Sequence, residues 1–371
     1  MDKSVKIVVI ILLCCAAAGA AALVMGMAGT GTHISAAGAP QATVDGTTAR
    51  VLNSTGIRST TTCTQVTITQ TDGTPMTFPC RPERLIVANA NAAEMVIALG
   101  AADKIVGVTD STLTVPYIMD KIPNATSIGN WQTPNIEQIL ALHPDAVITY
   151  SSYKPKNLDQ LEAANITLVS LDCYKLATLP SDARELGKLT GRSNAAEVYA
   201  RMVEDEVAEV NTQVKTIPAG NYPSVYFESY TDYTAASNGS GSNEMLVAAG
   251  GKNIAGDTAT ASMKVSPEWV VARQPQYVMK VVSSSDTRPL DTIVAALKSR
   301  PGWDTIPAVE DNRVYAFAND IEYGPRAYIG LVYTAQLLHP AEFRDMHPRE
   351  MLNDYEQQYV SGTNKTMVIY P

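Results

Sequence analysis

Short apolar runs alternate with helical patterns along most of the chain from Arg84 onward. The runs "RLIVAN", "KIVGV", "DAVITY" and "ITLVSLD" have the length and composition of buried strands. Between them, "NAAEMVIALG", "NIEQILAL" and "NLDQLEAA" repeat apolar residues at helical spacing. Strands that are apolar on both faces and separated by helices are typical of a parallel sheet covered by helices on both sides. The pattern therefore predicts an α/β fold.

A different pattern interrupts this alternation between Ser181 and Thr216. Nearly all of that stretch repeats apolar residues at helical spacing, with one break at "TGRS". After Pro218 the alternation returns, with "SVYFESY", "YVMKVV" and "RVYAFA" as strands. We therefore predict two Rossmann-like lobes with central parallel sheets, joined by one long interlobe helix. The predicted segments are an N-terminal lobe with a leading hairpin over 63–178, the helix over 179–217 and a C-terminal lobe over 218–371.

The first 62 residues follow neither pattern. Ile7 to Met27 contain no charged or strongly polar side chain, and a helix of this length matches a hydrocarbon core of roughly 30 Å. Two lysines precede this stretch and are expected to stay in the cytoplasm. We predict a transmembrane anchor over 1–29, with a cleaved signal segment as the alternative, and a flexible Thr-, Ala- and Gly-rich tether over 30–62. Both alternatives place the folded part outside the cytoplasm.

The cysteines also indicate an oxidising compartment. Cys63 and Cys80 bracket "CTQVTITQTDGTPMTFPC", which has the pattern of two strands joined by an Asp72-Gly73 turn. Cysteines at the open ends of a hairpin lie close enough to bridge, and export favours the bond. We expect a Cys63–Cys80 disulfide, with two unlinked thiols as the alternative. Cys173 is left over and is expected to be buried.

Composition and charge narrow the range of functions. The hydrophobic fraction of 46% supports a large core, and the net charge of −9 comes without any long basic block. Nucleic acid is therefore not expected as a partner. Glycosylation sequons are consistent with export, although each is a weak signal alone. The sequons begin at Asn53, Asn124, Asn165, Asn238 and Asn364.

This order of elements and its local phrases resemble the substrate-binding proteins of ABC importers for iron-siderophore complexes, haem and cobalamin, which have the class III periplasmic-binding fold. The resemblance covers roughly Val66 to Val360. No single phrase is specific, but their order and spacing are. The matching phrases are "PERLIVANANAAEMVIALGAADKIVGV", "PNIEQILALHPDAVITY", "ELGKLTGR", "VAAGGKNIA", "VSPEWVVARQPQYVM" and "IPAVEDNRVYAF".

The resemblance implies a receptor that works outside the cytoplasmic membrane. Its partners would be an ABC permease dimer with its ATPase, and the membrane itself through the N-terminal helix. No intrinsic cofactor is implied, because the ligand would be a ferric chelate, haem or a corrinoid that brings its own metal.

Two glutamates have matching positions in the two lobes. Glu137 in "PNIE" and Glu268 in "SPE" each lie in the first turn of a predicted helix. The partial positive charge of a helix N-terminus stabilises a carboxylate there by about 0.3–1 kcal/mol, and this alone explains an acidic residue. The resemblance gives a further role, because the matching glutamates of the family dock into arginine pockets on the two permease subunits. We expect this docking role for Glu137 and Glu268.

Ligands of such folds lie in a cleft at the carboxyl ends of the strands, where several aromatic and polar residues are predicted. The chain has 17 tyrosines and only 4 phenylalanines, and tyrosine offers a flat face with a polar tip. A guanidinium in the cleft would also suit an anionic chelate. The expected ligand-binding residues are Trp131, Gln132, Asn91, Tyr150, Tyr153, Tyr174, Tyr230, Tyr323 and Arg326.

Other functions have weaker signals. Directly bound zinc or manganese is not expected, because none of the four histidines falls at a predicted cleft position. Ferric iron held by tyrosinates is the open alternative, although it has no spacing signature here. An enzyme is not expected either, since the chain has no Gly-x-Ser-x-Gly elbow, phosphate loop or His-Glu-x-x-His helix. The alternative is a surface-anchored structural protein or adhesin built on the same fold, which the tether and the sequons would also suit.

Overall fold

An antiparallel hairpin closed by a disulfide begins the part of the chain that the computed structural model describes, which is residues 63–151, 153–283, 286–360 and 369–371. Strands β1 (Val66–Thr69) and β2 (Pro75–Phe78) pair through the predicted turn at Gly73, whose φ is +86°. Cys63 and Cys80 are bonded, with their Cα atoms 5.2 Å apart. The predicted hairpin and disulfide are confirmed, and Cys173 is a buried free cysteine as expected.

The predicted membrane segment and tether lie outside the described residues, as do Asn53 and Asn364. Within the described ranges, no helix is both long enough and apolar enough to cross a bilayer.

The first lobe contains a five-stranded parallel sheet with the strand order β5-β4-β3-β8-β9. Its central strands are apolar on both faces because helices cover both sides, as the sequence pattern predicts. A small antiparallel pair, β6 with β7, projects from it. The strands are β3 (Leu85–Val87), β4 (Ile105–Val108), β5 (Thr126–Ser127), β6 (Gly129–Asn130), β7 (Thr133–Pro134), β8 (Ala146–Thr149) and β9 (Leu168–Ser170). The helices are α1 (Ala90–Ala98), α2 (Asp110–Leu113), α3 (Pro116–Met119), α4 (Ile136–Ala141) and α5 (Leu158–Ala163), with a 3-10 turn at Ala102–Lys104.

Two consecutive helices connect the lobes. Helix α6 (Leu179–Thr190) ends at Gly191 in the left-handed conformation, and α7 (Ser193–Thr216) follows at once. The break coincides with the "TGRS" interruption in the sequence pattern. With 24 residues, α7 is about 36 Å long. Its buried face includes Tyr199 and Val203, which pack into the core.

The second lobe contains a mixed sheet, which differs from the purely parallel one predicted. Strands β10, β12, β14 and β15 are parallel, whereas β11, β13 and β16 pair antiparallel. Short connections explain the antiparallel strands, because β10 and β11 are joined without the helix that a parallel crossover needs. The strands are β10 (Ser224–Glu228), β11 (Thr234–Ala236), β12 (Lys252–Asn253), β13 (Ser262–Lys264), β14 (Tyr277–Val282), β15 (Val314–Ala318) and β16 (Ile369–Tyr370).

Within the described residues of this lobe, seven α-helices surround the sheet or pack against the first lobe. Single turns of 3-10 helix occur at Ala219–Asn221, Trp303–Thr305 and Gly324–Arg326, and a π-helical turn spans Glu356–Val360. The α-helices are α8 (Gly241–Ala248), α9 (Pro267–Ala272), α10 (Leu290–Lys298), α11 (Pro307–Glu310), α12 (Asn319–Glu322), α13 (Ala327–Leu338) and α14 (Pro348–Tyr355).

The largest apolar core is shared between the lobes. Leu85 of the first sheet, Tyr199 of α7, Val225 of the second sheet and Leu331 of α13 all belong to one buried cluster. The Tyr199 hydroxyl also donates to the Pro325 carbonyl at 2.5 Å. Because the lobes share packed side chains and not only a linker, a large opening would expose apolar core to water.

Candidate ligand-binding cleft

A cavity of about 720 Å³ lies between residues that follow the carboxyl ends of strands in both sheets. This volume is in the range of small-molecule sites, and its position at strand ends is where ligands of open α/β sheets bind. Side chains from the two lobes contribute to its wall. Eight of the nine residues expected in the cleft line it: Asn91, Trp131, Gln132, Tyr150, Tyr153, Tyr174, Tyr230 and Tyr323.

Aromatic rings form a continuous wall from one lobe to the other. Trp131 meets Tyr150 with ring centroids 5.6 Å apart, Tyr150 meets Tyr174 at 5.8 Å, and Tyr174 meets Tyr323 at 6.1 Å. Every contact is edge to face, which is a favourable geometry for aromatic pairs. Tyr153 extends the wall, and 58% of its surface is exposed. Rings that are fixed by their neighbours and partly open to solvent can receive a flat ligand at little entropic cost.

Two phenols of this wall, those of Tyr150 and Tyr323, are neutral. Burial raises the pKa values of Tyr150 and Tyr323 well above the usual range for tyrosine. They therefore offer ring faces and hydroxyl groups to a ligand. Among the described residues, no group of three or more His, Cys, Asp or Glu side chains is placed to hold a metal ion.

Arg326 is not at the cleft, so this expectation from the sequence is wrong. Its side chain is 3% exposed, and its Nε lies 3.0 Å from Oε1 of Glu94 in the first lobe. Two more groups lie close to the guanidinium. The Tyr117 hydroxyl is 2.5 Å from Nη2, and Oδ2 of Asp320 is 3.4 Å from the same nitrogen. Tyr355 donates to the same oxygen of Glu94, Oε1, at 2.9 Å. The charge of Arg326 is therefore compensated within an interlobe network that the sequence did not reveal.

Several polar residues of the cavity were missed by the sequence analysis. Lys175 is held by Asp172 at 3.2 Å and lies 5.3 Å from the ring centroid of Tyr174. Ser240 is the N-cap of α8 and accepts a hydrogen bond from the Asn243 amide. The sequence feature that could have indicated Ser240 is the Gly-rich "NGSGSNE" stretch, because the N-terminus of a helix can bind an anion. The other lining residues that were missed are Ser229, Gly239, Gly241, Glu244, Ala261 and Asn319.

Glu137 and Glu268 occupy equivalent positions in two similar pieces of backbone. Each is exposed and is the second residue of a six-residue helix, α4 or α9. The side chains of Asn135 and Ser266 cap these helices by accepting the third helical N–H. A hydrogen bond from Ser266 lowers the pKa of Glu268, so that its carboxylate is charged at neutral pH.

The equivalence continues beyond the two helices. Each helix is followed by a residue with positive φ, His143 at 46° and Gln274 at 43°, then by a proline and a buried strand. The spacing between these landmarks is the same in both lobes. The two lobes therefore present a carboxylate from matching local structures, whereas neither glutamate lines the cavity.

The sequons that fall in the described part of the chain are accessible. Asn124, Asn165 and Asn238 are all exposed, and Asn238 directly precedes the cavity residue Gly239. Exposure is necessary for glycosylation but does not test it, so these sites stay predictions.

Comparisons with known proteins agree with this geometry. A model of the periplasmic binding protein family matches residues 85–320, which is more than half of the chain. An uncharacterised ABC transporter substrate-binding lipoprotein of Bacillus subtilis, YvrC, is 26% identical over 76% of this chain and 87% of its own length. A cobalamin-binding protein of Halobacterium salinarum is 29% identical over 62% of each chain. The solved structure of a periplasmic haem-binding protein, RhuT from Roseiflexus, aligns with a TM-score of 0.57 and 27% identity over 70% of this chain and 99% of that one.

Proposed function

We propose that this chain, which belongs to the periplasmic binding protein family, captures a ring-bearing metal complex outside the cytoplasm and delivers it to an ABC permease. The family and the similar proteins support a substrate-binding protein of a transporter, since the similar proteins are binding proteins. The proposed ligand is an iron chelate, either a siderophore complex or haem, or a corrinoid. The names of the similar proteins, which include cobalamin-binding and haem-binding proteins, favour this range.

The aromatic wall carries the proposal. A planar macrocycle or a catecholate ring can stack on or wedge between Trp131, Tyr150 and Tyr174, and each such contact contributes about 0.5–1.5 kcal/mol beyond the area that it buries. Neutral phenols do not replace the ligands of a metal, so they suit a complex whose metal is already chelated.

Delivery requires a partner that recognises both lobes at once. Glu137 and Glu268 are exposed, lie outside the cavity and are set in matching structures, one in each lobe. A permease dimer presents two equivalent surfaces, and charge complementarity with basic pockets there would fix the orientation of docking. The ATPase that drives the permease is the second proposed partner. The shared core between the lobes supports a mechanism in which capture involves little lobe movement.

Ligand titrations followed by tryptophan fluorescence test the proposal. Cyanocobalamin, haemin and a ferric tris-catecholate are added separately, and we expect one of them to quench the Trp131 signal and raise the melting temperature. W131F should abolish most of the quenching, whereas the matched control W269F should retain it, because Trp269 stacks on Arg273 and is not in the cavity lining. If all three complexes leave both signals unchanged, a surface-anchored structural role is favoured and the receptor function is wrong.

A further inference from the structure

A buried carboxyl group lies behind the cavity wall in the second lobe. Glu322 is 3% exposed, and its Oε1 accepts a hydrogen bond from the Ser242 hydroxyl, which is also buried. The Ser242 oxygen lies 3.2 Å from the hydroxyl of Tyr323, and Tyr323 lines the cavity. A line of three proton-bearing groups thus runs from the interior to the ligand site. We name Glu322, Ser242 and Tyr323 the relay.

Two hydrogen-bond arrangements of the relay are possible. When Glu322 is ionised, Ser242 donates its only proton to the carboxylate, and the proton of Tyr323 is directed to the Ser242 oxygen or to the carboxylate itself. The phenol then presents only its lone pairs to the cavity. When Glu322 is protonated on Oε1, it donates to Ser242, and Ser242 donates to Tyr323. The phenol proton is then free to point into the cavity.

The position of the proton on Glu322 follows from its surroundings. Within the described residues, the other oxygen, Oε2, is buried and has no hydrogen-bond partner. A proton on Oε2 would have no acceptor, whereas a proton on Oε1 meets the Ser242 oxygen. Protonation of Glu322 therefore favours the second arrangement and reverses the direction of both hydrogen bonds.

We propose that the relay sets the hydrogen-bonding character of the cavity wall, so that protonated Glu322 makes Tyr323 a donor to an oxyanion of the ligand. This inference rests on the proposed ligand-binding function. It narrows the ligand to one with a carboxylate or phenolate oxygen at the Tyr323 end of the cavity, such as the propionate of a haem. A ligand that presents only amide N–H groups there would prefer the opposite arrangement.

The electrostatics of the site support this assignment. Burial raises the pKa of Glu322 to about 8, although the hydrogen bonds from Ser242 and Tyr323 oppose the shift. The neutral acid is therefore the main form at pH 7. Burial also raises the pKa of Tyr323, so the phenol keeps its proton while Glu322 titrates. Glu322 is then the group that determines which arrangement the relay adopts.

The charged neighbours of α12 do not compensate Glu322. Arg326 pairs with Glu94 at 3.0 Å and with Asp320, the other acidic residue of α12. Lys280 on β14 pairs with Glu228 at 2.8 Å.

Two further groups near the relay carry no positive charge. From α8 the titratable residue is Glu244, and from the segment after β10 it is Tyr230. Neither stabilises an anion, which is consistent with a carboxyl group that remains protonated near neutral pH.

Infrared titration of the ligand-free protein tests the relay without any ligand. We expect the protonated-carboxyl band of Glu322 to disappear with a midpoint near pH 8. The phenol C–O band of Tyr323 should shift with the same midpoint, because the phenol changes from donor to acceptor. E322Q should abolish both changes, Y323F should abolish only the phenol shift, and S242A should reduce the phenol shift. A carboxyl band that titrates while the phenol band stays constant would overturn the relay.

The dependence of haemin affinity on pH tests the consequence for binding. In the wild type the Kd should rise about tenfold between pH 6.5 and 9.5, because the ligand loses a hydrogen bond to its charged oxygen. E322Q should give a pH-independent Kd, and the exposed control E310Q should behave like the wild type. Parallel profiles for E322Q and the wild type would overturn the inference. If haemin does not bind at all, the proposed haem ligand is wrong. The infrared titration alone then tests whether protonation of Glu322 changes the hydrogen bonding of Tyr323.

Discussion

Nε of Arg326 lies 3.0 Å from Oε1 of Glu94, and this buried ion pair joins the second lobe to the first. The two residues are 232 positions apart along the chain. Tyr117 and Tyr355 donate to the two oxygens of the same carboxylate, at 2.8 Å and 2.9 Å. Removal of either partner would leave the remaining charge buried without compensation.

Removal of one partner is therefore expected to destabilise the protein strongly. R326M should lower the free energy of unfolding by about 3–5 kcal/mol, because it leaves the Glu94 carboxyl group buried without its ion-pair partner. Urea denaturation at pH 7 measures this loss. The matched control is R184M, whose ion pairs with Glu197 and Glu204 are on the surface and contribute about 0–1 kcal/mol. If R326M instead unfolds like R184M and loses ligand affinity, Arg326 has a ligand-binding role after all.

Stability should also depend on pH through Glu322. Its pKa is about 8 in the folded protein and ordinary in the unfolded chain, so the folded state binds a proton that the unfolded state has released. The contribution of protonated Glu322 to the free energy of unfolding is fully present below about pH 4.5. It is lost progressively as the pH rises to about 8, by up to about 1.4 kcal/mol per pH unit. E322Q should remove this slope, which urea unfolding at pH 5, 7 and 8.5 would show. Equal slopes for E322Q and the wild type would mean that the carboxyl group is already ionised at pH 5.

The disulfide of the leading hairpin is expected to stabilise the fold. Cys63 and Cys80 are 17 residues apart, and closing a loop of this size lowers the entropy of the unfolded chain by an amount worth about 3 kcal/mol. C63S/C80S should lose a comparable part of the free energy of unfolding. A reducing agent should destabilise the wild type and have no effect on the double variant. Identical denaturation of the oxidised wild type and the variant would show that the hairpin unfolds independently of the rest.

Charge reversal tests the docking role of the two glutamates. E137R/E268R should abolish transport into vesicles that contain the permease and its ATPase, while ligand affinity stays unchanged because neither residue lines the cavity. The matched control E162R/E310R reverses two other exposed carboxylates, one in each lobe, and should transport normally. Normal transport by E137R/E268R would contradict the docking role.

The aromatic cleft could be predicted from the sequence because its residues are tied to local structure. Tyr150 follows β8 directly, and Trp131 lies between the short strands before α4. In a parallel α/β sheet the carboxyl ends of the strands meet on one side, so the sequence position of such residues already indicates their location. Eight of the expected residues therefore reached the cavity. The positions of Glu137 and Glu268 could also be predicted from the sequence, because a capped helix start is a local signal.

Arg326 shows where this reasoning fails. Its sequence neighbours, Gly324 and Pro325, indicate a helix start near the cleft, and that part is correct. The direction of its side chain depends on Glu94, Tyr117 and Tyr355, which come from helices far apart in the chain. No periodicity in the sequence predicts these contacts between distant helices.

The sequence by itself determined the order of strands and helices, the disulfide-closed hairpin and the ring-rich strand ends, because each depends on local periodicity, spacing or residue type. The tertiary structure alone decided which charges are buried and paired, which edge strands of the second sheet run antiparallel, and that Glu322 lies behind Tyr323. These features depend on contacts between residues that are distant in sequence, and the free energy of a buried charge is set by the partners that the fold brings to it.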